Sequence, residues 1–205
     1  MDPKFDLEAK PLARALVSYA VKSMDSTTVT GAGRAPITHQ DLLQLGITRF
    51  ALDISEKALL LLGRSTISSS SILPADAPVV IGFSLFIMLG IIQALSKEGI
   101  AVDVKELTDK LIGRHLHQKM KKAGNDQAAN EEILEVSRTA TQIPGQIFET
   151  AKGEVEDLFS RCYSAIPAYA QGDDEARVQL MTLFGTTLHV LLQSKVEPDR
   201  GVPSD

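Results

Sequence analysis

The sequence predicts an all-α fold, an irregular bundle of about seven helices around a central apolar helix (79–95) and an apolar C-terminal helix (180–192). Three observations carry this reading. Apolar residues recur three and four apart in most windows of the chain, no long window sustains the alternation of a half-buried strand, and no period repeats as a solenoid requires. With 205 residues the chain can enclose a sizeable core without disulfides or metals. One helical domain over 1–195 is expected, followed by a disordered tail over 196–205.

The first helix falls at 7–22, with Leu12, Ala13, Leu16, Val17 and Ala20 inward and Pro11 limiting how early it starts. A Gly-, Thr- and Pro-rich connection (26–38) follows. The segment 41–62 is the most regular. It sets Leu43, Ile47, Phe50, Ala51, Ile54, Ala58, Leu61 and Leu62 on one stripe and leaves Gln44, Arg49, Asp53, Glu56 and Lys57 off it. Thr38 and Asp41 supply its cap and Gly63 its left-handed exit. After a Ser- and Pro-rich connection (64–78) comes 79–95, uncharged, with only Ser84 and Gln93 polar. At 1.5 Å per residue it spans roughly 25 Å, short of the roughly 30 Å of a bilayer core, so a buried helix fits it better than a membrane span. A competing reading takes PVVIGF and LFIML as two buried strands, because short apolar runs do not reveal their period.

Gly99 ends that helix and Asp103 opens the next, 104–122, whose inner face holds Leu107, Leu111, Ile112, Leu116 and Met120. Gly124 marks its stop. A weaker helix over 126–141 rests on Ile133, Leu134 and Val136, and Pro144 is expected in the first turn of a separate helix carrying Ile147, Phe148, Ala151, Val155, Leu158, Phe159 and Cys162. That helix should end before Pro167. Asp173, Asp174 and Glu175 then form the acidic first turn of the last helix.

Lys and Arg total 21 and Asp and Glu 26, for a net charge of −5, with 44% hydrophobic and 23% charged residues. These values are near globular averages and exclude a collagenous or coiled-coil rod. An acidic chain is a poor general nucleic-acid coat, and nucleic acid is not an expected partner. The single cysteine and the acidic, proline-containing N-terminus point to a cytoplasmic protein, with no transmembrane span expected.

Chemical signatures are sparse. Zinc-binding cysteine pairs, nucleophile elbows and a complete phosphate loop are all missing, and Gly31-Ala32-Gly33-Arg34 reads as a turn. His115 and His117 are two apart, on opposite sides of a helix, and cannot share a metal there. His115 belongs at the core edge, His189 within the apolar last helix as a buried imidazole, and His39 in a helix first turn. Cys162 reads as a small buried hydrophobe. The acids at 131–135 and 149–157 read as a solvated face. No catalytic residue, metal ligand or cofactor is therefore expected.

The most informative polar feature is a basic stripe. Lys110, Arg114, His117 and Lys121 recur along one face of the 104–122 helix. Residues 105–122 carry six bases against two acids, a local +4, whereas 126–157 carry eight acids against two bases, a local −6. Either these helices neutralise each other within the fold, or they serve as docking surfaces where complementary charge sets orientation and encounter rate. The leading functional expectation is a non-enzymatic helical interaction protein that binds and modulates, inhibits or escorts another protein, with those four residues as the contact and a homodimer also open. Two alternatives stand beside it. One is a peripheral membrane or pore-related protein that releases 79–95, aided by Gly82 and Gly90; the other is an enzyme whose pocket draws on distant residues, His189 and His115 first.

Overall fold

The computed structural model describes residues 10–24, 37–63, 77–123, 127–151 and 153–194, with backbone alone at 114–123, 129, 150, 151, 156, 191 and 194. Among these residues every element is a helix: α1 (Pro11–Lys22), α2 (His39–Leu61), α3 (Ala77–Lys97), α4 (Val104–Ala123), α5 (Gln127–Ala151), α6 (Glu154–Gln171) and α7 (Asp174–Ser194). The two runs that could have been strands both lie inside α3. Both long connections and the 196–205 tail fall outside the described residues, apart from the ends of the connections.

The helix ends follow the local chemistry. Thr38 and Asp41 form a reciprocal capping box on α2, the Asp41 N–H donating to Thr38 Oγ1 (3.1 Å) and the Thr38 N–H to Asp41 Oδ2 (3.0 Å). Asp103 and Asp173 cap the first turns of α4 and α7, each accepting a backbone N–H three residues on. Gly63 and Gly99 leave their helices at φ +70° and +75°.

Two expected boundaries are wrong. Pro144 does not begin a new helix but lies within α5, and Pro167 lies within α6; the break comes instead at Gly153, at φ +112°. A residue with a Cβ is disfavoured at that φ, so Gly153 turns the chain where Pro144 only removes one N–H from the ladder. The carbonyl that Pro144 leaves without its usual donor is that of Ala140. The backbone of α3 approaches at that point: a Cβ on Gly82 would lie 2.7 Å from the Ala140 oxygen and 2.6 Å from Ile143 Cβ. Pro144 is buried in this seam, and tertiary packing thereby carries α5 through a residue that would break an isolated helix.

Helix α3 is enclosed by α2, α4, α5 and α6, and α2 in turn packs on α1, α7 and α4. Its inward side chains include Ile81, Phe83, Phe86, Ile87 and Met88, all at most 1% exposed. Phe86 contacts the rings of Phe83, Phe148 and Phe159, and Phe184 of α7 meets Phe83 edge-on. Gly90 leaves the space that the Phe159 ring fills, and the Tyr163 hydroxyl donates to the Gly90 carbonyl. Gly46 of α2 likewise lets the α1 backbone at Leu16 come into close contact. The fully buried Ser84 hydroxyl is 2.7 Å from the Val80 carbonyl and 3.0 Å from Ser55 Oγ, which satisfies both hydroxyls inside the core.

The expected stripes are mostly buried, with several departures, among them Phe148, which is exposed although placed on the stripe with Ile147. Gln44, placed off the α2 stripe, is 4% exposed, whereas Leu61 and Leu134, placed on stripes, are 66% and 62% exposed. Leu61 lies in the last turn of α2, and Leu134 lies beside the stripe through Ile133 and Val136. The apolar last helix buries Leu180, Phe184, Leu188 and Leu192 along one face, while Val178 and Val190 stay exposed.

Candidate functional site

Helix α4 places Leu107 and Leu111 in the core and turns Lys105, Glu106, Asp109 and Lys110 to solvent. By helical register, positions 114, 117 and 121 share the side of Lys110. The side chains of Arg114, His117 and Lys121 lie outside the described residues, as do those of His115, Leu116 and Met120. Lys110 is held in place: its ammonium is 2.7 Å from Glu106 Oε1 and also donates to Gln44 Oε1, and the Gln44 amide donates to Glu106 Oε2 at 2.9 Å. Buried Gln44 thereby ties α2 to the start of the basic stripe. The Glu106 carboxyl is held below the usual range by the Lys110 and Gln44 hydrogen bonds. The acidic helix α5 packs beside α4, and α6 follows it.

The other residues singled out by sequence fall as follows. His39 is exposed. His189 is also exposed, not buried as expected, because it sits beside Leu188 on the outward side of α7. Cys162 is fully buried, and burial pushes its thiol up to about 12, so it is an inert part of the core. Among the described residues no group of three or more His, Cys, Asp or Glu side chains could hold a metal ion.

A second polar site was not visible in the sequence. Where α1, α2 and α6 meet, Asp53 Oδ2 accepts from Tyr19 Oη (2.7 Å), Tyr169 Oη (2.9 Å) and Lys57 Nζ (2.7 Å). Lys57 Nζ also donates to Tyr169 Oη at 2.9 Å. The tyrosine rings lean on Phe50, edge-on in both cases, so this hub is continuous with the core. Burial, then the hydrogen bond to Asp53, pushes the Tyr19 hydroxyl far above its ordinary range and keeps it a donor. Burial raises the nearby Glu56 carboxyl as well, with the Asp53 charge adding to it. The signal for this hub was the Asp53–Lys57 pair, four apart and flanking Ile54 and Ala58 of the stripe. Its tyrosine partners come from 34 and 116 positions away and carry no local mark.

The hub opens on a cleft of about 380 Å³ lined by Tyr19, Lys22, Lys57, Tyr169, Asp174 and Arg177 among others. On the other side of α7 runs a larger groove of about 570 Å³, floored by Ile147, Leu158, Leu183 and Val190 and edged by Glu154, Asp157 and Arg161. Its threonines turn their hydroxyl protons back onto their own helix: Thr182 to the Val178 carbonyl, Thr186 to Thr182 and Thr187 to Leu183.

No family model matches the chain, and no curated protein or solved structure matches it either.

Proposed function

We propose that this chain is a non-enzymatic, cytoplasmic helical interaction protein that binds an acidic partner protein and modulates, inhibits or escorts it through the basic face of α4. The observation that carries the reading is the position of the first turns of α4: Leu107 and Leu111 anchor them to the core while Lys110 is exposed, and the helical period of the sequence puts positions 114, 117 and 121 on the side of Lys110. A helix that carries mostly basic residues suits recognition in which complementary potentials steer encounter and set orientation. The Gln44–Lys110–Glu106 contacts fix the first residue of that face before any partner arrives, which lowers the ordering cost of binding.

The test is affinity capture with the wild-type chain and an Arg114→Glu/Lys121→Glu variant. Reversing two charges is expected to abolish capture of the partner while the helical circular-dichroism signal is unchanged, and wild-type capture should weaken steeply as salt rises. An unaltered partner profile in the double variant would refute the reading.

A further inference from the structure

We propose that the cleft between α1, α2, α6 and α7 binds a small molecule bearing an oxyanion, a carboxylate or a phosphate, held by Lys22, Lys57 and Arg177. The site is separate from the basic face of α4 and does not depend on the docking reading.

Three cationic side chains from three different helices line one cavity: Lys22 from α1, Lys57 from α2 and Arg177 from α7. Three carboxylates are close by, each accepting through one of its two oxygens, and Glu56 lies near Asp53. Asp53 Oδ2 takes the two tyrosine hydroxyls and Lys57. Asp173 Oδ1 accepts the Ala176 N–H at 2.9 Å as the α7 cap, and Asp174 Oδ1 pairs with Arg177 Nη2 at 3.0 Å.

The three cations keep unused protons. An ammonium has three protons and a guanidinium five. Lys57 uses two, on Asp53 and Tyr169; Lys22 uses one, on the Ala170 carbonyl at 2.8 Å; Arg177 pairs through one nitrogen. Several N–H groups around the same space therefore keep capacity for an acceptor. Charge-assisted N–H bonds to an oxyanion are the strong class of such contacts, and a guanidinium fork fits a carboxylate or phosphate edge. The Tyr19 and Tyr169 rings add an apolar wall, and the volume lies at the lower end of small-ligand sites, which selects a compact ligand.

The experiment is isothermal titration of the full chain with inorganic phosphate and, separately, with succinate, at matched ionic strength in chloride. Saturable binding of either anion is expected, and whichever binds more tightly assigns the headgroup chemistry. A Lys22→Met/Arg177→Gln variant changes two exposed side chains, and circular dichroism checks its fold. It is expected to weaken binding by about tenfold or more, as the loss of charge-assisted hydrogen bonds implies. Absence of saturable binding for both anions would overturn the proposal, as would equal affinity in wild type and variant, which would locate the anion elsewhere.

Discussion

Asp41 shows how one residue couples helix geometry to pH. Its carboxylate accepts both the Thr38 hydroxyl (2.6 Å) and the Thr38 N–H (3.0 Å), and these bonds hold its carboxyl below the ordinary 3.8. A depressed folded-state value means stability that is present above the unfolded pKa and is lost as pH falls through the folded one. Thr38→Ala is therefore expected to destabilise the protein by about 1 kcal/mol at neutral pH, in line with other N-cap deletions. The difference from wild type should shrink in acid, below the ordinary carboxylate range. Urea unfolding of both proteins across that range checks it, and a gap that stays constant down to full protonation would show that Asp41 is not the linked group. Glu56 works in the opposite sense: burial raises its carboxyl, so its contribution is present in acid and fades as pH rises through the folded value. Comparing Thr38→Ala with the wild type pH by pH cancels that background.

Among the elements, the seam between α3 and α5 sets two rules against each other. Helix propensity alone makes Gly82→Ala a gain of about 1 kcal/mol. The new Cβ would sit 2.6 Å from Ile143 Cβ and 2.7 Å from the Ala140 oxygen, a backbone atom that cannot swing aside. Overpacking of this kind costs about 1–3 kcal/mol, so a net loss of stability is expected, with the sign as the decisive result. Thermal unfolding measures it. A more stable Gly82→Ala protein would mean that α3 and α5 do not approach as closely as described. The same seam accounts for the continuity of α5 at Pro144. Pro144 signals a helix start locally, yet α5 runs through it because its neighbour fits the gap in the ladder, a cross-chain property that local spacing does not encode.

For the whole molecule, the question is what becomes of α3, whose most apolar window reaches a mean hydropathy of 2.3. Of that window 78% is buried by the rest of the chain, and aromatic rings from α5, α6 and α7 meet its own two phenylalanines. Releasing α3 to a bilayer would expose the faces that now cover it. The protein is therefore expected to stay in the supernatant when sedimented with anionic phospholipid vesicles at physiological salt. Pelleting with the vesicles would favour the reading in which 79–95 leaves the bundle.

Composition, periodicity and end signals were enough for the all-α class, the buried 79–95 segment, the caps at Thr38 and Asp103 and the acidic start of the last helix, because each depends on residues within one or two turns of each other. They also marked the inert setting of Cys162. Other features required the folded chain: the passage of α5 through Pro144, the exposure of His189 and the burial of Gln44. The Tyr19–Asp53–Lys57–Tyr169 hub belongs with them. Each follows from which helix lies against which, and a hydrogen bond between residues 116 positions apart leaves no periodic trace in either segment. Hydrophobic burial chooses the elements locally, whereas the polar contacts that shape the cleft exist only once separate helices have been brought together.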